Sequence, residues 1–197
     1  MDRLSAVITG LAVALGAACE SKPDPGAPPP RTNGAKVKAA QGQSPDAFCD
    51  VHAGEDHARA FHWPELAAGS TAPAASPAWR WINVWATWCK PCVAEMPRIT
   101  AWRDQLAAAG KRVELTFVSV DDSDADVAGF RRDHPDAPPS LRIAGADQRA
   151  AWLKSLALSD GAIPIHLFVS PTSRLRCARA GEVRAQDHAA IEQLLAE

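Results

Sequence analysis

Cys89 and Cys92 are separated by two residues in the segment Thr87-Trp88-Cys89-Lys90-Pro91-Cys92. Sulfurs at that spacing can close into a disulfide and reopen when a thiolate attacks, so exchange with other disulfides is the first chemistry to consider. The flanking residues place the pair. Trp79 to Ala86 (WRWINVWA) is aromatic and β-branched and reads as a strand buried on both faces. Val93, Met96, Ile99, Trp102 and Leu106 then recur at helical spacing, with Gly110 as the stop, and Val113 to Val120 (VELTFVSV) is a second apolar strand. Strand, helix and strand with short links form a parallel, right-handed βαβ unit. The cysteines therefore fall where a strand passes into the first turn of a helix.

The amino end of a helix offers unpaired N–H groups and a positive dipole end, and Lys90 adds a cation, so a thiolate is stabilised there. Cys89 is expected at the exposed mouth as the attacking sulfur, and Cys92 one turn inside as the resolving sulfur. Pro91 suits the first helical turn, where its missing N–H is no loss, and its rigidity limits how far the pair can separate. Cys92 must lose a proton before it can resolve a mixed disulfide. Asn83 is an amide and cannot take it. Glu95, three residues beyond Cys92 on the same helix face, offers a carboxylate; the plainer alternative is an acid near a helix start, favoured by the dipole.

The stretch NVWATWCKPCVAEMP resembles the active-site segment of thioredoxin-fold proteins, and more narrowly the TlpA/ResA-like branch of membrane-anchored thiol–disulfide oxidoreductases. Trp88, Cys89, Pro91, Cys92, Glu95 and Pro97 meet the W-C-x-P-C-x-x-E-x-P pattern, and Asn83 stands where thioredoxins carry a buried Asp. The likeness runs from about Pro45 to the end. It implies an α/β fold, a three-layer sandwich with a central mixed sheet and helices on both faces, with a family-type insertion over 121–160. It implies a cis Ile163–Pro164 bond opposite the cysteines, with Trp88, Lys90, Pro91, Ile163 and Pro164 meeting the substrate and Glu95 in acid–base work. It also implies a reductase fed by a membrane electron donor, acting on exported cysteines such as those of apocytochrome c, as in cytochrome c biogenesis. No cofactor is called for. The segment Ile165–Val169 after Pro164 reads as a strand, with His166 as an ordinary strand residue.

The remaining elements follow from pattern. Asp121-Asp122-Ser123 can cap a helix carrying Val127 and Phe130, which the proline loop at 134–140 ends. Leu141–Ala144 is a short extended piece, and Asp147–Leu158 a helix with Ala150, Leu153 and Ala157 on one face. Pro171–Arg174 is a turn, Leu175–Ala180 the return strand of a hairpin, and Asp187–Ala196 a closing helix.

The amino-terminal segment points to export. Leu4 to Ala18 is uncharged, follows Arg3, and ends in small residues before Cys19, so residues 1–18 read as a signal peptide. The ending resembles a bacterial lipobox, which makes Cys19 the lipid attachment site; the alternative is a plain signal cut near Ala17 or Ala18. Residues 19–45, rich in Pro and Gly and without an aromatic, form a flexible tether reaching about 25–30 Å. Residues 46–197 form the thioredoxin-like domain. The expected location is the periplasmic side of the cell envelope, lipid-anchored to the membrane, as a monomer.

Cys49 and Cys177 are then left as an even pair in an oxidising compartment, where a structural disulfide is expected; two buried free thiols are the alternative. A competing function is a metal-binding module for zinc or copper, from Cys49-x-x-His52 with Cys89-x-x-Cys92 and His57 and His62 nearby. Pro91, Trp88 and the late Ile-Pro favour exchange chemistry. The net charge of −2 and pI near 6.3 argue against nucleic-acid binding, and no apolar run reaches the length of a membrane span.

Overall fold

The sequence pattern resolves into a mixed sheet with helices on both sides. The structure is a computed structural model and describes residues 43–158 and 161–197; the signal segment, Cys19 and all but the last three residues assigned to the tether lie outside the described residues. The described chain runs α1 (Pro45–Phe48), β1 (Val51–His52), β2 (Arg59–Ala60), β3 (Trp79–Trp85), α2 (Lys90–Ala108), β4 (Val113–Ser119), α3 (Asp124–Asp133), β5 (Ser140–Arg142), α4 (Ala146–Ser155), β6 (Ile165–Val169), β7 (Arg174–Ala180) and α5 (His188–Leu194). None of these helices is long and apolar enough to cross a membrane.

The strand order is β1-β7-β6-β3-β4-β5, with β2 also pairing with β7. Strand β3 is at the centre. It runs parallel to β4 and antiparallel to β6, and every residue after Trp79 is buried. That is the burial expected of an apolar run without alternation. Trp81, Trp85, Ile82 and Phe168 are among the largest side chains sealed completely from solvent. The stretch between β4 and β6 holds α3, β5 and α4, and β5 extends the sheet parallel to β4.

Helix ends follow local chemistry. Helix α2 stops in a Schellman motif: Gly110 adopts φ +81°, Gly110 N–H donates to Ala107 C=O, and Lys111 N–H reaches back to Leu106 C=O. Helix α3 is capped by Ser123, whose hydroxyl accepts from Asp126 N–H. Helix α4 ends at Ser155, three residues earlier than the periodicity suggests. Ala157 takes a positive φ of 62°, and Leu158 N–H bonds back to Leu153 C=O, closing the same kind of cap with alanine in the position glycine usually fills. Its inward residues are Trp152 and Leu153, followed by Leu156 and Leu158; Ala150 and Ala157, assigned to the buried face from the sequence, are exposed. The bulkier side chains win the core because they remove more apolar area from water.

Cys49, just after α1, is disulfide-bonded to Cys177 in β7, with a Cα–Cα distance of 5.5 Å. Arg179 donates to Phe48 C=O beside it, and Asp50 N–H donates to Ala178 C=O. The bond closes a loop across 128 positions. Chain entropy alone assigns such a loop about 4–5 kcal/mol. Replacing both residues, Cys49→Ala with Cys177→Ala, is expected to lower the unfolding free energy by about 2–4 kcal/mol in urea titrations without reductant.

Candidate active site

Strand β3 ends at Trp85, and four residues later Cys89 caps α2. The connection is pinned from two sides. Cys89 N–H donates to Ala86 C=O at 3.0 Å. The carboxylate of Asp121, just beyond β4, takes the Thr87 N–H at 3.0 Å, the Thr87 hydroxyl at 2.7 Å and the Ser119 hydroxyl at 2.7 Å. Parallel pairing of β3 with β4 brings Asp121 there, since Trp85 faces Ser119 in the register. The turn that carries the first cysteine therefore hangs on one buried acid.

Cys89 and Cys92 are joined in a disulfide with a Cα–Cα distance of 5.3 Å. Cys89 Sγ accepts the Cys92 N–H at 3.3 Å, so a sulfur occupies the place of an N-cap oxygen. Cys92 is fully buried. Cys89, expected at an exposed mouth, is only 5% exposed. Its sulfur is turned onto the helix end by the bond to Cys92, and the exposed rim is made by its neighbours. Trp88 is 65% exposed, the only large hydrophobic so exposed among the described residues, and Lys90 and Pro91 are also at the surface. Pro97 lies inside α2 and is exposed. It withdraws the N–H that would bond to Val93 C=O.

Glu95 is completely buried. Asn83 Nδ2 donates to its Oε1 at 3.0 Å and Val183 N–H donates to its Oε2 at 2.9 Å. His166 Nε2 is 3.1 Å from the same Oε1, angled off the straight hydrogen-bond line. The other ring nitrogen, Nδ1, accepts the Trp81 indole N–H at 3.1 Å. One turn along α2, Arg98 donates to Val183 C=O at 2.6 Å and pairs with Glu182 at 3.0 Å. Glu95 and Arg98 thus hold both backbone polar groups of Val183. Both hydrogen bonds to Glu95 come from N–H donors, one to each carboxylate oxygen.

The Ile163–Pro164 bond is cis. Pro164 is buried, Ile163 is half-buried, and Pro164 C=O accepts from Gly181 N–H at 2.8 Å. Beside the first turns of α2 lies a groove of about 490 Å³, lined by Val93, Met96 and Pro97 of α2, Phe130 of α3 and the His134–Pro138 loop.

The metal-ligand set suggested by spacing is not brought together. Cys49 is committed to Cys177, and His52 Nδ1 pairs with Asp46 at 2.6 Å. Among the described residues no three His, Cys, Asp or Glu are grouped to hold a metal ion. Three residues of the site were missed from the sequence: Asp121, His166 and Val183. The sequence gives His166 the place of an ordinary strand residue; it is in β6, and it is fully buried against the Glu95 carboxylate. The available signal was its polarity in the otherwise apolar run IHLFV, matched by Asn83 in INVW, because buried polar groups need partners.

No family model matches the chain. It is 39% identical over 49 residues to the thioredoxin-like protein YneN of Bacillus subtilis (strain 168), a stretch covering 25% of this chain and 29% of that protein. The match thus spans less than a third of that relative's length. The thioredoxin-related protein from Neisseria meningitidis serogroup B superposes with a TM-score of 0.54 at 24% identity, over 68% of this chain and 97% of that one. A DsbF homologue from Corynebacterium diphtheriae superposes with a TM-score of 0.55 at 18% identity, over 76% and 94%. The chain has the thioredoxin fold. On that fold it carries a bonded Cys-x-x-Cys pair at the amino end of α2.

Asp121→Ala would leave the Thr87 N–H and two hydroxyls without their shared acceptor. A loss of about 2 kcal/mol of unfolding free energy is expected in denaturant titrations, with Asp121→Asn losing less.

Proposed function

We propose that this chain is an exported thiol–disulfide oxidoreductase that reduces disulfides of exported protein substrates through Cys89 and Cys92. The observation that carries the reading is the placement of the pair, with Cys89 capping α2 and its sulfur receiving a backbone N–H at the positive end of the helix. In the reduced pair the same dipole, with the cation of exposed Lys90, favours a thiolate on Cys89.

The Cys89 thiolate attacks one sulfur of a substrate disulfide. The substrate S–S bond breaks, and its leaving sulfur departs as a thiolate that takes a proton from water. Cys92 then gives its thiol proton to the Glu95 carboxylate, and its sulfur attacks Cys89 Sγ. The Cys89–Cys92 bond forms as the Cys89–substrate bond breaks, and the second substrate sulfur leaves as a thiolate. The substrate gains two electrons and the pair loses them. A membrane electron donor restores the dithiol. Trp88, Lys90 and Pro91 supply the exposed rim against which a substrate rests, Ile163 and Pro164 an extended backbone contact, and the groove along α2 room for an apolar side chain.

In this reading residues 1–18 are removed on export, Cys19 takes lipid, and the tether holds a monomeric domain on the periplasmic side of the envelope. Radiolabelled palmitate is expected to enter the expressed protein, and Cys19→Ala to abolish the label. Cys89→Ser should eliminate reduction of a protein disulfide, and Cys92→Ser should accumulate a mixed disulfide through Cys89. Equilibration with glutathione should give a potential between about −270 and −180 mV, whereas a value near −120 mV would overturn the reductase direction.

A further inference from the structure

We propose that His166 is a positioning residue for the resolving step: its Nε2–H, oriented by the Trp81 indole, fixes the Glu95 carboxylate that receives the Cys92 proton. The proposal rests on the reading of Cys89 and Cys92 as an exchange pair.

The location of the proton on His166 follows from its neighbour. A tryptophan indole N–H only donates, so the ring nitrogen that accepts it, Nδ1, carries no hydrogen. The imidazole proton is therefore on Nε2, which stands 3.1 Å from Glu95 Oε1. Asn83 and His166 face each other in the β3–β6 register, so both central strands present a polar group to the same carboxylate oxygen: Asn83 Nδ2 donates to it, and His166 Nε2 lies 3.1 Å away. Val183 N–H fills a site on the other oxygen. An ionised carboxylate offers about four acceptor sites. Asn83 and Val183 take two of them, and the His166 Nε2–H stands 3.1 Å from Oε1, off the hydrogen-bond line, as a close polar contact that limits how the carboxylate can turn. Glu95 lies three residues beyond Cys92 in α2, a spacing that puts Cβ atoms about 5–6 Å apart.

His166 cannot itself take the proton. Its Nδ1 lone pair is engaged by Trp81, and its Nε2 already carries hydrogen. It acts through Glu95. A carboxylate with fewer polar neighbours is freer to rotate about its terminal bond, and its orientation toward the helix's first turn is then not fixed. A purely structural role explains the pair less well, because two packed apolar side chains would join β6 to α2 without the desolvation that a buried His and Glu require. The pair instead lies one turn from the sulfurs, where a buried ionisable group bears on the chemistry.

The test uses the full-length reduced protein and an aromatic disulfide, dithiobis-nitrobenzoate, which releases one coloured thiolate when Cys89 attacks and a second when Cys92 closes the ring. Wild type is expected to give both releases. His166→Leu should slow the second about tenfold or more without a matching loss in the first, as expected for disturbed proton transfer. His166→Gln, whose amide can still donate to Glu95 and accept from Trp81, should restore the second release to within about threefold of wild type. Adding His166→Leu to Glu95→Gln should slow it no further, because the two residues act as one unit. Where His166→Leu does not fold, His166→Asn, too short to reach Glu95, takes its place. An unchanged second release in His166→Leu, equal slowing in His166→Gln, or multiplying effects in the double variant would each overturn the proposal. If wild type released neither thiolate, the exchange reading itself would fall, and this proposal with it.

Discussion

A carboxylate sealed from water must be given donors, and the surroundings of Glu95 are organised by that requirement. The side chain is completely buried, so every unfilled lone pair carries a desolvation cost. Strand β3 answers with Asn83, strand β6 offers His166, and the segment after β7 brings the Val183 N–H. Arg98 then secures the same Val183 from its carbonyl side. One buried carboxylate thereby hydrogen-bonds α2 to two separate pieces of chain and sets it against a third. Each is placed only because the central sheet has the order it has, with β6 beside β3 and β7 beside β6. The reactive turn lies one turn away at the amino end of this same helix, so the fixing of α2 and the fixing of the sulfurs are one problem.

Asp121 solves the other half of it. A helix can be well anchored and still present a loose amino end. Here the carboxylate beyond β4 collects two groups of Thr87, two residues ahead of Cys89. Two acids therefore bracket the pair, one holding the approach to the helix and one holding its first turns from beneath. The two disulfides divide in the same way. Cys49–Cys177 bridges residues 128 apart and fastens the amino-terminal segment to β7, whereas Cys89–Cys92 spans a single turn and constrains almost nothing beyond itself. A short loop contributes less chain entropy than a long one, so the Cys89–Cys92 bond constrains the unfolded chain less than Cys49–Cys177 does.

Much of this was legible in advance. Apolar runs of uniform composition identified β3, β4 and β6, and the recurrence of Val93, Met96, Ile99, Trp102 and Leu106 identified α2, because both signals are local. The cap at Ser123 and the stop at Gly110 were equally local. The boundaries of α4 were not, since Ala157 closes the helix from a conformation that alanine seldom takes. Nor could the sequence reveal that Asp121 and Thr87, or Glu95 and His166, meet. Those pairs lie 34 and 71 positions apart and are joined only by strand register. The absence of solvent at Cys89 was likewise invisible, because a Cys between an exposed Trp and an exposed Lys reads as exposed itself.

The rim of the sheet carries a further consequence. The long strands are interior, while the outer positions are filled by β1 and β2, two residues each, and by β5 with three. Even β5 is shielded on its far side, where Leu66 bridges Ile143 and Ala67 N–H bonds to Arg142 C=O. Little unpaired ladder is left for a foreign strand to extend. The sheet is thereby guarded against edge-to-edge pairing with another chain.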